Sequence, residues 1–384
     1  MSDSARIEAL AGEVAEWRRE IHRHPGVGFD VGPTAAFVAE RLRDLELDEV
    51  VEGVGRTGVV GVLRGRREGS RAIGLRADMD ALPIHEQTNL GHASREPGRM
   101  HACGHDGHTA MLLGAARYLA ETRDFAGTVV FVFQPAEEIS QGANAMIADG
   151  LFARFPVDAI YGLHSLPGLP VGHFATRPGP IMASVDRFEI RVEARGAHAA
   201  MPHQGIDAVY VASQIVVALQ SIVSRNLDPL EPAVVTVGAI QAGDAFNVLP
   251  DSARLLGTAR CLTPATRDTI EARLAAVAQG VARLNGAEAH VTYDRISAAT
   301  INHAAEAAIA ARVAGSVAGK GNSEAAMPPL MIGEDFASFL HERPGAFAFI
   351  GNGDTAGLHH PAYDFDDRAI PAGIRYWVGL VEAG

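Results

Sequence analysis

Val129-Val130-Phe131-Val132-Phe133-Gln134-Pro135-Ala136-Glu137-Glu138 is a short apolar run that stops on a proline and two adjacent carboxylates. Five apolar residues with no polar alternation read as a strand buried on both faces, as in parallel sheets. Residues 73–77, 159–162 and 346–350 repeat the pattern, with helix-like sequence between most of them. That alternation predicts an α/β domain built on a mostly parallel sheet. The residues just beyond each strand carry the chemistry. The first strand runs into Asp78 and Asp80, and the second into Glu137 and Glu138. The third runs into His164, and the fourth into a glycine-rich loop leading to His359 and His360. Open α/β sheets bind ligands beyond the carboxyl ends of their strands, so four strand ends predict one site.

Another texture begins at Pro178-Gly179-Pro180. Phe188, Ile190 and Val192 alternate as in a half-buried strand. Val209, Ala212, Val216, Leu219 and Val223 form a helical stripe. Strands at 233–241 and 253–261 follow, then a helix with Ile270, Leu274, Val277, Val281 and Leu284, then a strand at 289–293. The order βαββαβ predicts a ferredoxin-like α+β unit. It is expected as an insertion at 181–294 in a catalytic domain made of 1–180 and 295–384. A chain of 384 residues is long enough for two domains.

With 47% hydrophobic and 21% charged residues the composition is that of a globular protein. The net charge of −13 argues against a nucleic-acid partner. Ile7, Leu10, Val14, Trp17 and Ile21 recur at helical spacing among charged residues, so the N-terminus reads as a helix and not a secretion signal. No later segment reads as long and apolar enough to span a bilayer, and no membrane partner is expected. Two cysteines, Cys103 and Cys261, are too few for a disulfide framework and fit a reducing, cytoplasmic compartment.

The densest cluster is Met100-His101-Ala102-Cys103-Gly104-His105-Asp106-Gly107-His108-Thr109. A thiolate and imidazoles hemmed by glycines suit a borderline-soft divalent ion such as zinc. Two other readings stand beside this one: a polar turn before a helix, or Cys103 as a nucleophile with a histidine base. Only the metal reading employs the residues after the other strands. Adjacent carboxylates such as Glu137 and Glu138 can divide the work, one binding metal and the other carrying protons.

His-Ala-Cys-Gly-His-Asp-Gly-His-Thr (101–109), Gln-Pro-Ala-Glu-Glu (134–138), Gly-Leu-His (162–164) and Leu-His-His-Pro (358–361) resemble, in order and spacing, the metal-dependent aminoacylase and carboxypeptidase family. The likeness is closest to its hippurate hydrolase and auxin-conjugate hydrolase branch. It extends to Trp17-Arg18-Arg19 with His22, and to Gly333-Glu334-Asp335-Phe336. The resemblance implies two divalent metal ions per subunit (zinc or manganese, with cobalt or nickel as alternatives) on Cys103, His105, Glu138, His164 and His359. It implies Glu137 as general base, and prefers His359 over His360. Broader relatives carry a ligand histidine on the early strand. Here Arg76-Ala77-Asp78-Met79-Asp80 offers none, which leaves Asp78 and Asp80 without a role.

The inserted unit resembles the family's lid and dimerisation domain. By that likeness His198 reaches the active site of a partner subunit in a homodimer or higher homo-oligomer, and Asn247 and Arg260 bind the substrate's polar end. The implied activity is hydrolysis of a small N-acyl amino acid. A dipeptidase or carboxypeptidase of the same family is the alternative, and a non-catalytic metal-dependent amino-acid-binding protein a more distant one.

Overall fold

The computed structural model describes residues 3–383. Two compact units divide the chain. One runs up to Ile181, takes in Ile301–Pro328 and resumes at Asp335. The other comprises Met182–Thr300 with Pro329–Glu334.

The first unit is built on an eight-stranded sheet. At its centre Ala126–Gln134, Arg67–Asp78, Ala159–Leu166 and Gly345–Gly351 lie side by side and parallel. Each expected strand is present and runs longer than its apolar run. Ala159–Leu166 continues through His164, which sits inside the strand's carboxyl end and not after it. The sheet also extends beyond the four strands read from sequence. Glu49–Val54 and Gly58–Arg64 add an antiparallel pair on one side, and Phe174–Ala175 and Ser323–Glu324 complete the other. Helices Asp3–Arg23, His105–Thr122 and Ile370–Glu382 contribute Val14, Met111, Leu112, Ile374 and Trp377 to the core against the sheet.

In the second unit four antiparallel strands run in the order Ala233–Gln241, Ser252–Cys261, Val185–Glu193, Glu288–Ser297. Two helices, Ala208–Ser221 and Pro264–Leu284, share their core. This is the ferredoxin-like arrangement. Asp207 and Thr263 cap the two helices by accepting backbone N–H bonds. One expectation is corrected here. The continuous helical stretch Ala208–Asn226, 19 residues at mean hydropathy 1.3, is long and apolar enough to cross a membrane by length and composition. Only a third of its 18-residue window is buried. Ala208, Val211, Ala212, Ile215, Leu219 and Ile222 face the unit's own core.

A charged network is buried at the carboxyl end of the first unit's sheet. The fully buried Arg76 donates through Nε to Gln134 Oε1 at 2.8 Å and through Nη1 to Asp78 Oδ2 at 2.8 Å, and its Nη2 lies 3.3 Å from Asp335 Oδ1. Asp335 also accepts from Gln134 Nε2 at 2.7 Å and from the Ala143 N–H at 3.0 Å. Removing one member of such a set strands the others without compensation. Arg76→Met should therefore destabilise the unit by about 3–5 kcal/mol. Arg6→Ala, which breaks an exposed pair with Glu121, should cost below about 1 kcal/mol. Thermal unfolding of the two variants checks the contrast.

Candidate metal centre

Asp80 organises the cluster. Its buried carboxylate accepts the Glu137 N–H on Oδ1 (2.9 Å) and the Glu138 N–H on Oδ2 (3.1 Å). The turn that presents both glutamates is thereby docked on the end of the neighbouring strand. The turn itself needs Ala136 at φ 57°, in the left-handed region, with its N–H held by the Gly28 carbonyl at 3.1 Å. Asp80 also acts through its backbone, because its carbonyl accepts His105 Nδ1–H at 2.7 Å.

That bond fixes a tautomer. With Nδ1–H held there, His105 turns its Nε2 into the cluster, where it is buried with no hydrogen-bond partner among the described residues; a bound cation would take the place of any proton on it. His164 is set the same way: Nδ1 donates to the Ser165 carbonyl at 2.7 Å, and Nε2 stands 3.4 Å from Cys103 Sγ. Anchoring one ring nitrogen to a carbonyl so that the other offers a lone pair is how metal-ligating histidines are oriented. Glu138 Oε1 is likewise buried without a partner among the described residues, 3.8 Å from His105 Nε2, and Glu138 Oε2 lies 3.4 Å from His359 Nε2. Two ligands on one tetrahedral ion with bonds of about 2.0–2.3 Å stand roughly 3.3–3.8 Å apart. These spacings are close to that. Ligand atoms of Cys103, His105 and His164 fall within 4.8 Å of one another, as do those of Cys103, Glu138 and His359, and of His105, Glu137 and Glu138.

Gly104 lets the chain close around the cluster. It sits at φ 90° just before the helix His105–Thr122, and a Cβ there would run into the Ser165 and Tyr363 hydroxyls. His108 falls within the same distance of Asp78 and His105, but both its nitrogens are engaged. Nε2 accepts the Ser165 N–H at 2.8 Å and Nδ1 donates to Asp78 Oδ1 at 2.7 Å. These bonds tie the helix His105–Thr122 to the ends of two strands. Asp78 also accepts Thr109 Oγ1–H on its carbonyl at 2.7 Å.

Burial and charge are consistent with a cation site. Burial, with the Glu138 carboxylate, pushes the Cys103 thiol well up. Burial raises Glu138 to about 7 against the pull of His105, with Asp80 and Asp78 adding to the rise. His164 is driven well below the usual imidazole range by burial and by His108. Burial also opposes a charge on His105, yet Asp78 and Cys103 hold it well above that range. The negative potential that raises His105 is what a divalent cation would neutralise.

Glu137 is buried to 8% exposure, and the Asp335 N–H approaches its Oε1 at 3.4 Å. Of the two loop histidines, His359 faces the cluster. Its backbone is left-handed (φ 64°) and its N–H donates to the Ala102 carbonyl at 2.7 Å. His360 Nδ1 accepts the Ala362 N–H in its own loop. On the second unit, His198 and Asn247 come together. Ala197–His198 pairs with Val248–Leu249, and the Asn247 carbonyl accepts the Ala199 N–H at 3.1 Å. Both side chains are exposed. Arg260 is half-buried on the Ser252–Cys261 strand beside Gly333. Sequence reasoning left Asp78, Asp80, His108, Gln134 and Asp335 without roles. Two Asp residues directly after a buried strand were the available signal.

A model of peptidase family M20/M25/M40 matches residues 74–383. The chain is 42% identical over 371 residues to a hippurate hydrolase of Campylobacter jejuni, covering 97% of this chain and 96% of that protein. It is 40% identical over 371 residues to an N-acetyl-L-cysteine deacetylase of Bacillus subtilis, covering 96% and 87%. Among solved structures, a Bacillus subtilis protein described as a dinuclear metal binding peptidase of the M20 family superposes with a TM-score of 0.85 at 35% identity, covering 97% of this chain and 98% of that one.

The geometry separates two adjacent histidines, and so does the experiment. His359→Ala should weaken divalent-metal binding by about tenfold or more, while His360→Ala should leave it within about twofold, as a residue bonded only in its own loop. Titration of chelator-stripped protein with Mn²⁺ reads both. Equal losses would remove the assignment.

Proposed function

The chain belongs to peptidase family M20/M25/M40, and from that premise we propose that it is a metal-dependent amidohydrolase acting on N-acyl amino acids. The observation that carries this reading is Glu137. A second carboxylate, buried beside Glu138 at the edge of a ligand cluster, is of no use to a protein that only stores or senses metal. It suits one that must move a proton.

Cys103, His105, Glu138, His164 and His359 would hold two divalent ions: zinc suits the thiolate and imidazoles, manganese the carboxylate, and cobalt or nickel are alternatives. Such ions supply Lewis acidity, lowering the pKa of water and polarising the scissile carbonyl. Glu137 takes the proton of the attacking water and passes it to the leaving nitrogen, a role contributing about 10²–10⁴-fold. Water's oxygen joins the acyl carbon, the C–N bond breaks, and a carboxylate and a free amino acid leave. His198 donates to the oxyanion from a second subunit, an interaction of roughly 3–4 kcal/mol. Asn247 and Arg260 take the substrate carboxylate, for which the guanidinium fork is suited.

A homodimer is part of this proposal. The helix Ala208–Ser221 exposes Val209 and Tyr210, with Val217 73% exposed. Ala233–Gln241 forms an open sheet edge with Ile240 half exposed. Apolar faces and free edges of this kind favour association. A monomer in sedimentation equilibrium would remove this part. The two cysteines are buried and unbridged, which supports a cytoplasmic setting.

The test is a substrate panel of N-acetyl and N-benzoyl amino acids beside unblocked dipeptides. Metal-dependent release of the free amino acid from the N-acyl compounds is expected, and preference for dipeptides would move the reading to a dipeptidase. Glu137→Gln should keep its metal and lose about 10²–10⁴-fold in kcat. Glu138→Gln should lose metal as well. Equal metal loss in both, with no selective loss of turnover, would overturn the division of labour.

A further inference from the structure

The motif Trp17-Arg18-Arg19 with His22 lies far in sequence from every residue of the metal centre, yet Arg18 and His22 are fully buried. Arg18 Nε stands 2.7 Å from Asp106 Oδ2, and Nη2 pairs with Asp364. Nη1 lies 3.0 Å from His92 Nε2 and 3.7 Å from Asp367 Oδ1. His22 Nδ1 adds a second contact to Asp106 Oδ2 at 2.8 Å, and its Nε2 lies 3.4 Å from Glu86.

The positions of the two carboxylates matter more than their number. Asp106 directly follows His105 on the first turn of its helix. Asp364 lies five residues beyond His359, on the loop that presents it. A single guanidinium thus spans two segments that are distant in sequence and converge on one cluster. The segments touch as well: a Cβ on Gly107 would overlap the Phe365 ring. His359 needs such support. Its side chain is 55% exposed and its backbone left-handed, so packing does little to hold it. Asp364 is a firm anchor, because its carbonyl accepts from Asn352 Nδ2 at 2.9 Å.

We propose that Arg18 is a positioning residue for the metal centre, holding the His105 helix and the His359 loop in register through Asp106 and Asp364. The proposal rests on the assignment of the metal centre. It differs from a general stabilising role in what it moves. A merely structural ion pair lowers the stability of stripped and loaded protein alike. A positioning residue lowers metal affinity, and so shrinks the gain in Tm on loading.

The experiment measures Mn²⁺ affinity of chelator-stripped protein by competition with a chromophoric chelator, and Tm with and without Mn²⁺. The proteins are wild type, Arg18→Met, the milder Asp364→Asn, and a control. The control is Arg267→Met, which breaks a buried pair with Asp186 in the other unit. Arg18→Met should lose about 10–100-fold in affinity and Asp364→Asn about tenfold, each with a smaller Tm gain on loading. Arg267→Met should lower Tm and keep its Mn²⁺ affinity. Where Arg18→Met does not fold, Asp364→Asn decides. Folded variants that bind Mn²⁺ like wild type, or a control that loses affinity as they do, overturn the proposal. A wild-type protein that binds no Mn²⁺ overturns the metal-centre reading and this inference with it.

Discussion

Asp80 is the residue on which the rest depends. Its carboxylate holds the backbone of Glu137 and Glu138, and its carbonyl holds His105. One strand end therefore fixes groups contributed by two other segments. The two bonds to the carboxylate are charge-assisted, and all three lie where water does not compete, which strengthens them. Their loss would leave a buried carboxylate uncompensated, a large penalty in a protein interior. The same logic explains Asp78, which holds His108, Thr109 and Arg76. Where the early strand carries no histidine, the two aspartates orient groups from neighbouring elements.

The cluster is unevenly built. Cys103, His105 and His164 are buried between the sheet and the helix His105–Thr122, with ring nitrogens pinned to carbonyls. His359 comes from a loop and is largely open to solvent. A catalytic metal site needs both qualities, rigid ligands to keep the ions and an open side to admit substrate. Glu137 sits at the join, beside the proposed ligand Glu138 and against the backbone of Asp335. Asp335 is in turn anchored to Gln134, Arg76 and Ala143. The proposed base is therefore held by the same polar network that closes the sheet's carboxyl end.

Much of this was legible in the sequence, for reasons that also mark its limits. The four central strands are buried on both faces, so they read as plain apolar runs. The cysteine and histidines carry ligand-type chemistry, which points to metal only together with the residues that follow the other strands. Gly58–Arg64 carries two glycines and reads weakly as a strand although it is nearly all buried. Asp80 works partly through its backbone carbonyl, and no residue pattern announces that. His359 and His360 are chemically alike, and only the left-handed backbone at 359 and the local bond at 360 separate them. The stretch Ala208–Asn226 reads from sequence as an amphipathic stripe of Val209, Ala212, Val216, Leu219 and Val223, of which only Ala212 and Leu219 are buried. The core face is offset to Ala208, Val211, Ile215 and Ile222, because apolar residues lie on both faces.

The central claim is that one cluster, oriented by Asp80, holds the catalytic ions. Anomalous diffraction from crystals loaded with Mn²⁺ tests it directly. The account predicts two adjacent peaks per chain, within bonding distance of Cys103, His105, Glu138, His164 and His359, and Glu137 bound to neither. Peaks ligated by His108 or His360, or no peak beside Cys103, would contradict it.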